Sequence, residues 1–124
     1  MIRWFNEISL RDIDLVGGKN ASLGEMFQNM HELSIKVPNG FAITTKSFDI
    51  FIEHNNLNKF INSNLEKLRQ NFNLANLGRI GIKIRNKILD GNFPKNLENE
   101  ILKTYKQLPN NYFDTDGNPQ NNTD

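Results

Sequence analysis

The spacing of apolar residues between positions 57 and 108 restricts the fold more than any other feature of the sequence. Apolar side chains recur there at intervals of three and four residues, in three runs: Leu57, Phe60, Ile61, Leu65, Leu68 and Phe72; Leu77, Ile80, Ile84 and Ile88; Leu97, Ile101, Tyr105 and Leu108. This period places each run on one face of a helix. Gly91 stands where a helix C-cap is expected, and Pro94 and Pro109 can open and close the last helix.

The stretch "RIGIKIR" within the second run is open to two interpretations. Its apolar residues also alternate with a period of two, which is typical of a strand. The helical spacing on both sides favours a helix, and a helix is what we expect there.

The first half of the chain predicts short strands and two further helices. Trp4 and Phe5 supply apolar area in one short strand, and Phe41 and Ile43 alternate with smaller residues in another. After the Gly17-Gly18 break, one helix face is predicted from Leu23, Met26, Phe27 and Met30. A second face is predicted from Phe48, Phe51 and Ile52, with Thr45 as a possible cap. The expected fold class is therefore α+β and mainly helical, with a small sheet near Trp4 and Phe41 and about four or five helices packed on it.

The start of the first of these helices carries two capping signals. Ser22 and Glu25 match the capping box, in which each side chain satisfies a free backbone N–H at a helix start. Asn20 is a competing cap two residues earlier.

Composition excludes several classes of function. Fifteen basic and fourteen acidic residues leave a net charge of +1, so there is no electrostatic case for nucleic acid or an anionic membrane as a partner. The absence of cysteine excludes disulfides, cysteine-ligated zinc and thiol catalysis. Charges interrupt the N-terminal segment, and no apolar run approaches the roughly 20 residues of a membrane-spanning helix. We therefore expect a cytoplasmic protein.

The polar residues 109–124 offer too little apolar area to offset chain entropy, which predicts a disordered tail.

The segment "LVGGKNASLGEM" contains the strongest candidate for a binding site. Phosphate is held well where backbone N–H groups converge at a helix N-terminus and a lysine adds a point charge. Gly17 and Gly18 lack Cβ, so a ligand can approach the backbone, and Lys19 lies within one turn of the helix start. The P-loop pattern is excluded, because Lys19 is followed by Asn20 and no glycine stands five residues before Gly18. On spacing alone, an ordinary strand-to-helix turn remains the alternative.

Other residues that could carry chemistry have simpler interpretations. We expect His31 and His54 to lie at solvated helix edges, because nothing in the sequence brings them together as a metal pair. The acidic pairs Asp12 with Asp14 and Asp114 with Asp116 could serve acid–base chemistry, and "DTDGN" faintly resembles a calcium loop, but the remaining ligands are missing. The basic residues of "RIGIKIRNK" lack interleaved aromatic residues, which favours a solvated helix face over a nucleic-acid surface.

Two blocks of the sequence together resemble a known enzyme family. "DLVGGKNASLGEM", followed about a dozen residues later by "VPNGFAITT", is similar to the beginning of phosphoenolpyruvate synthase (pyruvate, water dikinase), in the same order and at the same separation. The resemblance runs from about Trp4 to Leu108. It implies that residues 1–108 are part of an ATP-grasp-like N-terminal nucleotide-binding domain. It also implies that Lys19, positioned by Gly17 and Gly18, contacts ATP phosphates.

The resemblance also shows what this sequence does not contain. In the family a "VRSS"-like strand follows the region that matches Leu108, whereas this sequence continues "NNYFDTDGNPQNNTD". The remaining nucleotide site, the carboxylates for Mg²⁺, the phosphohistidine domain and the pyruvate-binding barrel lie outside this chain. The resemblance thus predicts an ATP-binding N-terminal fragment of an enzyme that converts ATP, pyruvate and water to phosphoenolpyruvate, AMP and phosphate, with this chain alone inactive. The alternatives are a split-gene product that pairs with a second polypeptide, or a degenerate remnant that serves as a non-catalytic interaction module.

Overall fold

The computed structural model describes residues 1–35 and 37–108, together with the backbone of residues 112–113 and 119–120. The chain divides into two units: Met1–Phe48 with the segment from Lys95 onward, and Asp49–Pro94. Within the described residues, no helix is both long enough and apolar enough to cross a bilayer.

The first unit contains the small sheet that the sequence predicts. Strand β1 (Ile2–Trp4) pairs antiparallel with β2 (Phe41–Ile43), with Ile2 opposite Ile43. The rings of Trp4 and Phe41 meet edge to face, with centroids 5.6 Å apart. Such an aromatic pair across two strands stabilises the pairing and fixes its register.

The helices of the first unit lie between β1 and β2 and after β2. Two short 3₁₀ turns come after β1, at Phe5–Glu7 and Leu10–Asp12. The α-helices of the unit are α1 (Ile13–Val16), α2 (Gly18–Glu32), α3 (Thr45–His54, which continues into the second unit) and α6 (Lys95–Gln107). The predicted α+β, mainly helical fold is confirmed.

The core of the first unit is built from small and medium-sized residues. Ile8 is 1% exposed and packs with the buried side chains of Val16, Ala21 and Ala42. Helix α2 approaches this core so closely that a Cβ on Gly24 would lie 2.5 Å from the carbonyl oxygen of Ile8. Glycine at this position therefore permits the contact between α2 and the chain near Ile8.

The buried face of α2 matches the predicted one only in part, at Phe27. Ala21, Gly24 and Phe27 are buried, whereas Met26 is exposed. Ala21 and Gly24 stand beside Phe27 on the buried face because the chain at Ile8 lies against the helix there. The long apolar side chains are left at the edge of that contact.

The second unit is a helical hairpin with its own core. Helix α4 (Leu57–Gln70) and helix α5 (Leu74–Leu89) pack against each other, and Phe51, Ile52 and Leu57 form the buried centre. "RIGIKIR" lies in α5, so the helical interpretation is confirmed. The side chain of Asn73 caps α5 by accepting a hydrogen bond of 2.8 Å from the N–H of Asn76.

The predicted apolar stripes of the later helices are only partly buried. Leu57, Leu68, Ile80 and Leu97 are buried as expected; several other members of the runs are exposed: Leu65, Phe72, Leu77 and Tyr105. Two polar residues are buried in their place, Asn64 in α4 and Thr104 in α6. Each satisfies its side chain by donating to the carbonyl four residues earlier, at 2.8 Å in both cases. This local bond lets a polar side chain replace an apolar one at low cost.

The tail prediction for residues 109–124 lies outside the described residues, apart from two short strands. There β3 (Tyr112–Phe113) pairs antiparallel with β4 (Pro119–Gln120).

Candidate phosphate-binding turn

The Gly17-Gly18-Lys19 segment joins two helices through a single residue. Gly17 has φ 81° and ψ 159°, a conformation that L side chains rarely adopt. Its N–H donates to the carbonyl of Ile13 at 2.8 Å, and its own carbonyl accepts from the N–H of Ala21 at 3.0 Å. Gly17 therefore ends α1 and begins α2, which requires a residue without Cβ.

The first turn of α2 leaves backbone donors free. In the described part of the chain, the N–H groups of Gly18, Lys19 and Asn20 have no hydrogen-bond partner, and no side chain caps the helix. The predicted capping box is wrong: Ser22 lies inside the helix, and Glu25 instead accepts a bond of 3.2 Å from the N–H of Leu10. Free N–H groups at the start of a long helix are suited to anion binding.

The space around this turn is open. An ideal Cβ placed on Gly17 or on Gly18 would meet no atom within 4 Å. Neighbouring side chains therefore leave the space beside these two glycines unfilled.

Lys19 lies at the second position of α2 and is exposed. No acidic residue lies in the first turn of the helix, and across the described residues the lysine ammonium forms no ion pair. A cation at the positive end of a helix dipole is unfavourable by itself. An anion bound at the turn would relieve this repulsion and would contact the ammonium and the N–H groups together.

Two side chains fix the turn from either side. Asn20 donates from Nδ2 to the carbonyl of Val16 at 3.0 Å, which ties the start of α2 to the end of α1. Thr45 donates from Oγ1 to the carbonyl of Asp14 at 3.0 Å, which ties α1 to the start of α3. Neither bond was predicted: the sequence suggested that Asn20 and Thr45 act as helix caps.

The other candidate residues have structural roles or remain apart. Asp12 accepts from the N–H of Ser9 at 2.8 Å and caps a 3₁₀ turn. His31 lies in the last turn of α2 and His54 ends α3. The described residues contain no group of three or more histidine or acidic side chains that could hold a metal. The pair Asp114 and Asp116 lies outside the described residues.

Residues 13–118 match the family described as pyruvate phosphate dikinase, AMP/ATP-binding domain. The chain belongs to this family.

Several curated relatives of this chain are named phosphoenolpyruvate synthase. The enzymes of Escherichia coli (strain K12) and Neisseria meningitidis serogroup B are 40% and 41% identical, over 87% and 85% of this chain. The enzyme of Aquifex aeolicus is 38% identical over 90% of the chain. The matched region is 14%, 13% and 13% of the length of these three relatives. The predicted family is confirmed, for a chain that spans about one seventh of its relatives.

Proposed function

We propose that this chain binds ATP through the Gly17-Gly18-Lys19 turn, as the N-terminal part of a phosphoenolpyruvate synthase-like protein. The observation that carries the proposal is the first turn of α2, where free N–H groups, unfilled space beside Gly17 and Gly18, and an unpaired lysine coincide. Membership of an AMP/ATP-binding domain family supports ATP as the ligand.

In this proposal the turn holds and orients the phosphates. The N–H groups of Gly18, Lys19 and Asn20 donate to phosphoryl oxygens, and the Lys19 ammonium adds a charge that favours the more highly phosphorylated nucleotide. Gly17 sets the direction of these donors through its positive φ. The turn itself supplies positioning and charge and contains no group that accepts a phosphoryl group.

Catalysis by the isolated chain is not part of the proposal. Phosphoryl transfer depends on charge stabilisation from several sides of the nucleotide, and this chain offers one side. Magnesium accompanies ATP in such reactions, but the described residues provide no cluster that could bind it. We therefore expect no formation of phosphoenolpyruvate or AMP when the purified chain is supplied with ATP, pyruvate and magnesium. A cytoplasmic location is part of the proposal.

Isothermal titration with magnesium ATP tests the binding. We expect the unmodified chain to bind, and Lys19→Ala to bind at least tenfold more weakly. Lys103→Ala is the matched control, because Lys103 is an exposed lysine in the middle of α6. Titrations with ADP, AMP and adenosine should show affinity falling with each phosphate removed. Equal affinity of the Lys19 and Lys103 variants for ATP would overturn the assignment of the site.

The titration, together with an activity assay on a mixture with a second polypeptide, addresses the alternative origins of the chain. A split-gene product would gain dikinase activity when mixed with a second polypeptide that carries the missing segments. A degenerate remnant that serves as an interaction module would neither bind ATP nor gain activity in the mixture.

A further inference from the structure

A groove between α4 and α5 gathers positive charge in the second unit. The groove has a volume of about 400 Å³, and its lining includes three cationic side chains, Lys67, Arg79 and Lys83. The amide side chains of Asn64, Asn71 and Asn76 line it as well. Its size falls in the range of small-molecule sites, which is about 300–1,000 Å³.

No acidic residue lines the groove. The ion pair described for this hairpin joins Glu66 to Arg69 at 3.0 Å, which engages the carboxylate nearest to Lys67 in sequence. Three like charges around one groove repel each other, and this arrangement costs free energy when nothing neutralises it. A bound anion would attract all three cationic side chains and so offset the repulsion between them.

Part of this charge is already oriented by the surrounding structure. Asn76 donates from Nδ2 to the carbonyl of Asn71 at 2.8 Å and receives a hydrogen bond from Nη2 of Arg79 on its Oδ1. Its backbone N–H donates to the capping side chain of Asn73. Asn76 is thus held at both ends and fixes one nitrogen of the guanidinium. A preorganised guanidinium loses less entropy when it binds a planar or tetrahedral oxyanion.

Lys83 is held over an aromatic ring. Its Nζ lies 5.8 Å from the centroid of the Phe60 ring, and Nζ of Lys87 lies at the same distance from that ring. Two ammonium groups therefore lie near the same ring, and the cation–π attraction offsets only part of the repulsion between them. An anion next to Lys83 would offset more.

We propose that this groove binds a small molecule with two or more phosphoryl groups. Three cations match a ligand with several negative charges, and the amides add neutral hydrogen-bond donors. A limited volume and a net charge of +1 for the chain favour a small ligand over a polynucleotide. The groove lies in the second unit and Lys19 in the first, so this inference does not rest on the proposed function.

Titration of the ¹⁵N-labelled full chain with inorganic pyrophosphate tests the proposal by NMR. We expect saturable shifts of the Arg79 and Lys83 amides and of the Asn76 side-chain amide. The double variant Arg79→Gln/Lys83→Gln should bind pyrophosphate at least tenfold more weakly. Lys19→Ala should retain these shifts unchanged.

Lys59→Gln is the matched control, because it removes one exposed charge from α4 outside the groove. This control and the single variant Lys67→Gln differ only in position, so only Lys67→Gln should weaken binding. Far-UV circular dichroism of each variant shows that the exposed substitutions leave the helices intact. Shifts that do not saturate, or that Lys59→Gln reduces as much as Lys67→Gln, would overturn the proposal. Binding of an oligouridylate, with no binding of pyrophosphate, would overturn it as well.

Discussion

Reversal of the charge at position 19 should stabilise the chain while it removes the proposed phosphate site. Lys19 lies at the positive end of α2, where a cation is repelled and a carboxylate is attracted. In Lys19→Glu the repulsion disappears and an attraction takes its place. A lysine that lowers stability at this position is what a binding role would explain.

The size of the effect follows from the helix dipole. A charge in the first turn of an exposed helix contributes about 0.3–1 kcal/mol. We take the lower half of that range, because the single turn of α1 ends at the same glycine and brings its carbonyls close to the site. Two such contributions, one lost and one gained, give an increase of about 0.6–1.2 kcal/mol in the free energy of unfolding. With a urea dependence of about 1.5 kcal/mol/M, the midpoint rises by ~0.4–0.8 M.

Tryptophan fluorescence during urea unfolding measures this shift in the relevant unit. Trp4 is the single tryptophan of the sequence and lies in β1, in the same unit as α2. Lys19→Gln should give about half the gain, and Lys103→Gln, in the middle of α6, should give none. The gain should largely vanish in 1 M NaCl, where the screening length is about 3 Å. A midpoint for Lys19→Glu at or below that of the unmodified chain, or a gain that persists in 1 M salt, would refute the electrostatic reasoning.

Three further substitutions test the packing. Gly24→Ala should destabilise the first unit by about 1–3 kcal/mol in the same fluorescence assay, since its Cβ would lie 2.5 Å from a backbone oxygen of Ile8; an unchanged midpoint would contradict this. Gly78→Ala, in α5 with open space around it, should stabilise the chain by about 1 kcal/mol, seen as a higher melting temperature by circular dichroism. Ser47→Ala removes a bond of 2.7 Å to the carbonyl of Met1 and should cost about 0.5–1 kcal/mol by urea unfolding. This cost is at the low end because the carbonyl keeps two other donors, both from Thr44; a loss above 2 kcal/mol would mean that the N-terminal segment detaches.

The sequence predicted which elements form better than it predicted which of their faces are buried. Helical spacing, and the proline and glycine residues that begin or end helices, are local properties of the sequence. For this reason β1, β2 and helices α2 to α6 were expected where they occur. Which face of a helix is buried depends on the element that packs against that helix. In α2 the facing element is backbone near Ile8, and a backbone neighbour selects Gly24 and Ala21 over Met26. No periodicity of α2 alone contains that information.

The sequence located the Gly17-Gly18 turn but not the contacts around it, and phosphate binding by Gly17, Gly18 and Lys19 stays a prediction. A glycine pair followed by lysine identified the turn, and the structure places it between two helices. The predicted capping box at Ser22 is wrong because the positive φ of Gly17 separates α1 from α2, so that α2 begins four residues before Ser22. The bond from Thr45 to Asp14 joins residues 31 positions apart and has no signal in either local stretch.

Apart from the bond of Thr45 to Asp14, the hydrogen bonds that shape the Gly17 turn join residues close together in the sequence. Those of Gly17 with Ile13, Ala21 with Gly17 and Asn20 with Val16 each span four residues. The pairing of β1 with β2, in contrast, brings Ile2 to Ile43 and must close a loop of some forty residues. Contacts of low sequence separation form on the helix timescale of about 0.1–1 μs, well before distant strands meet. The local geometry of the Gly17 turn is therefore expected early in folding, and only the bond from Thr45 must wait for a distant segment.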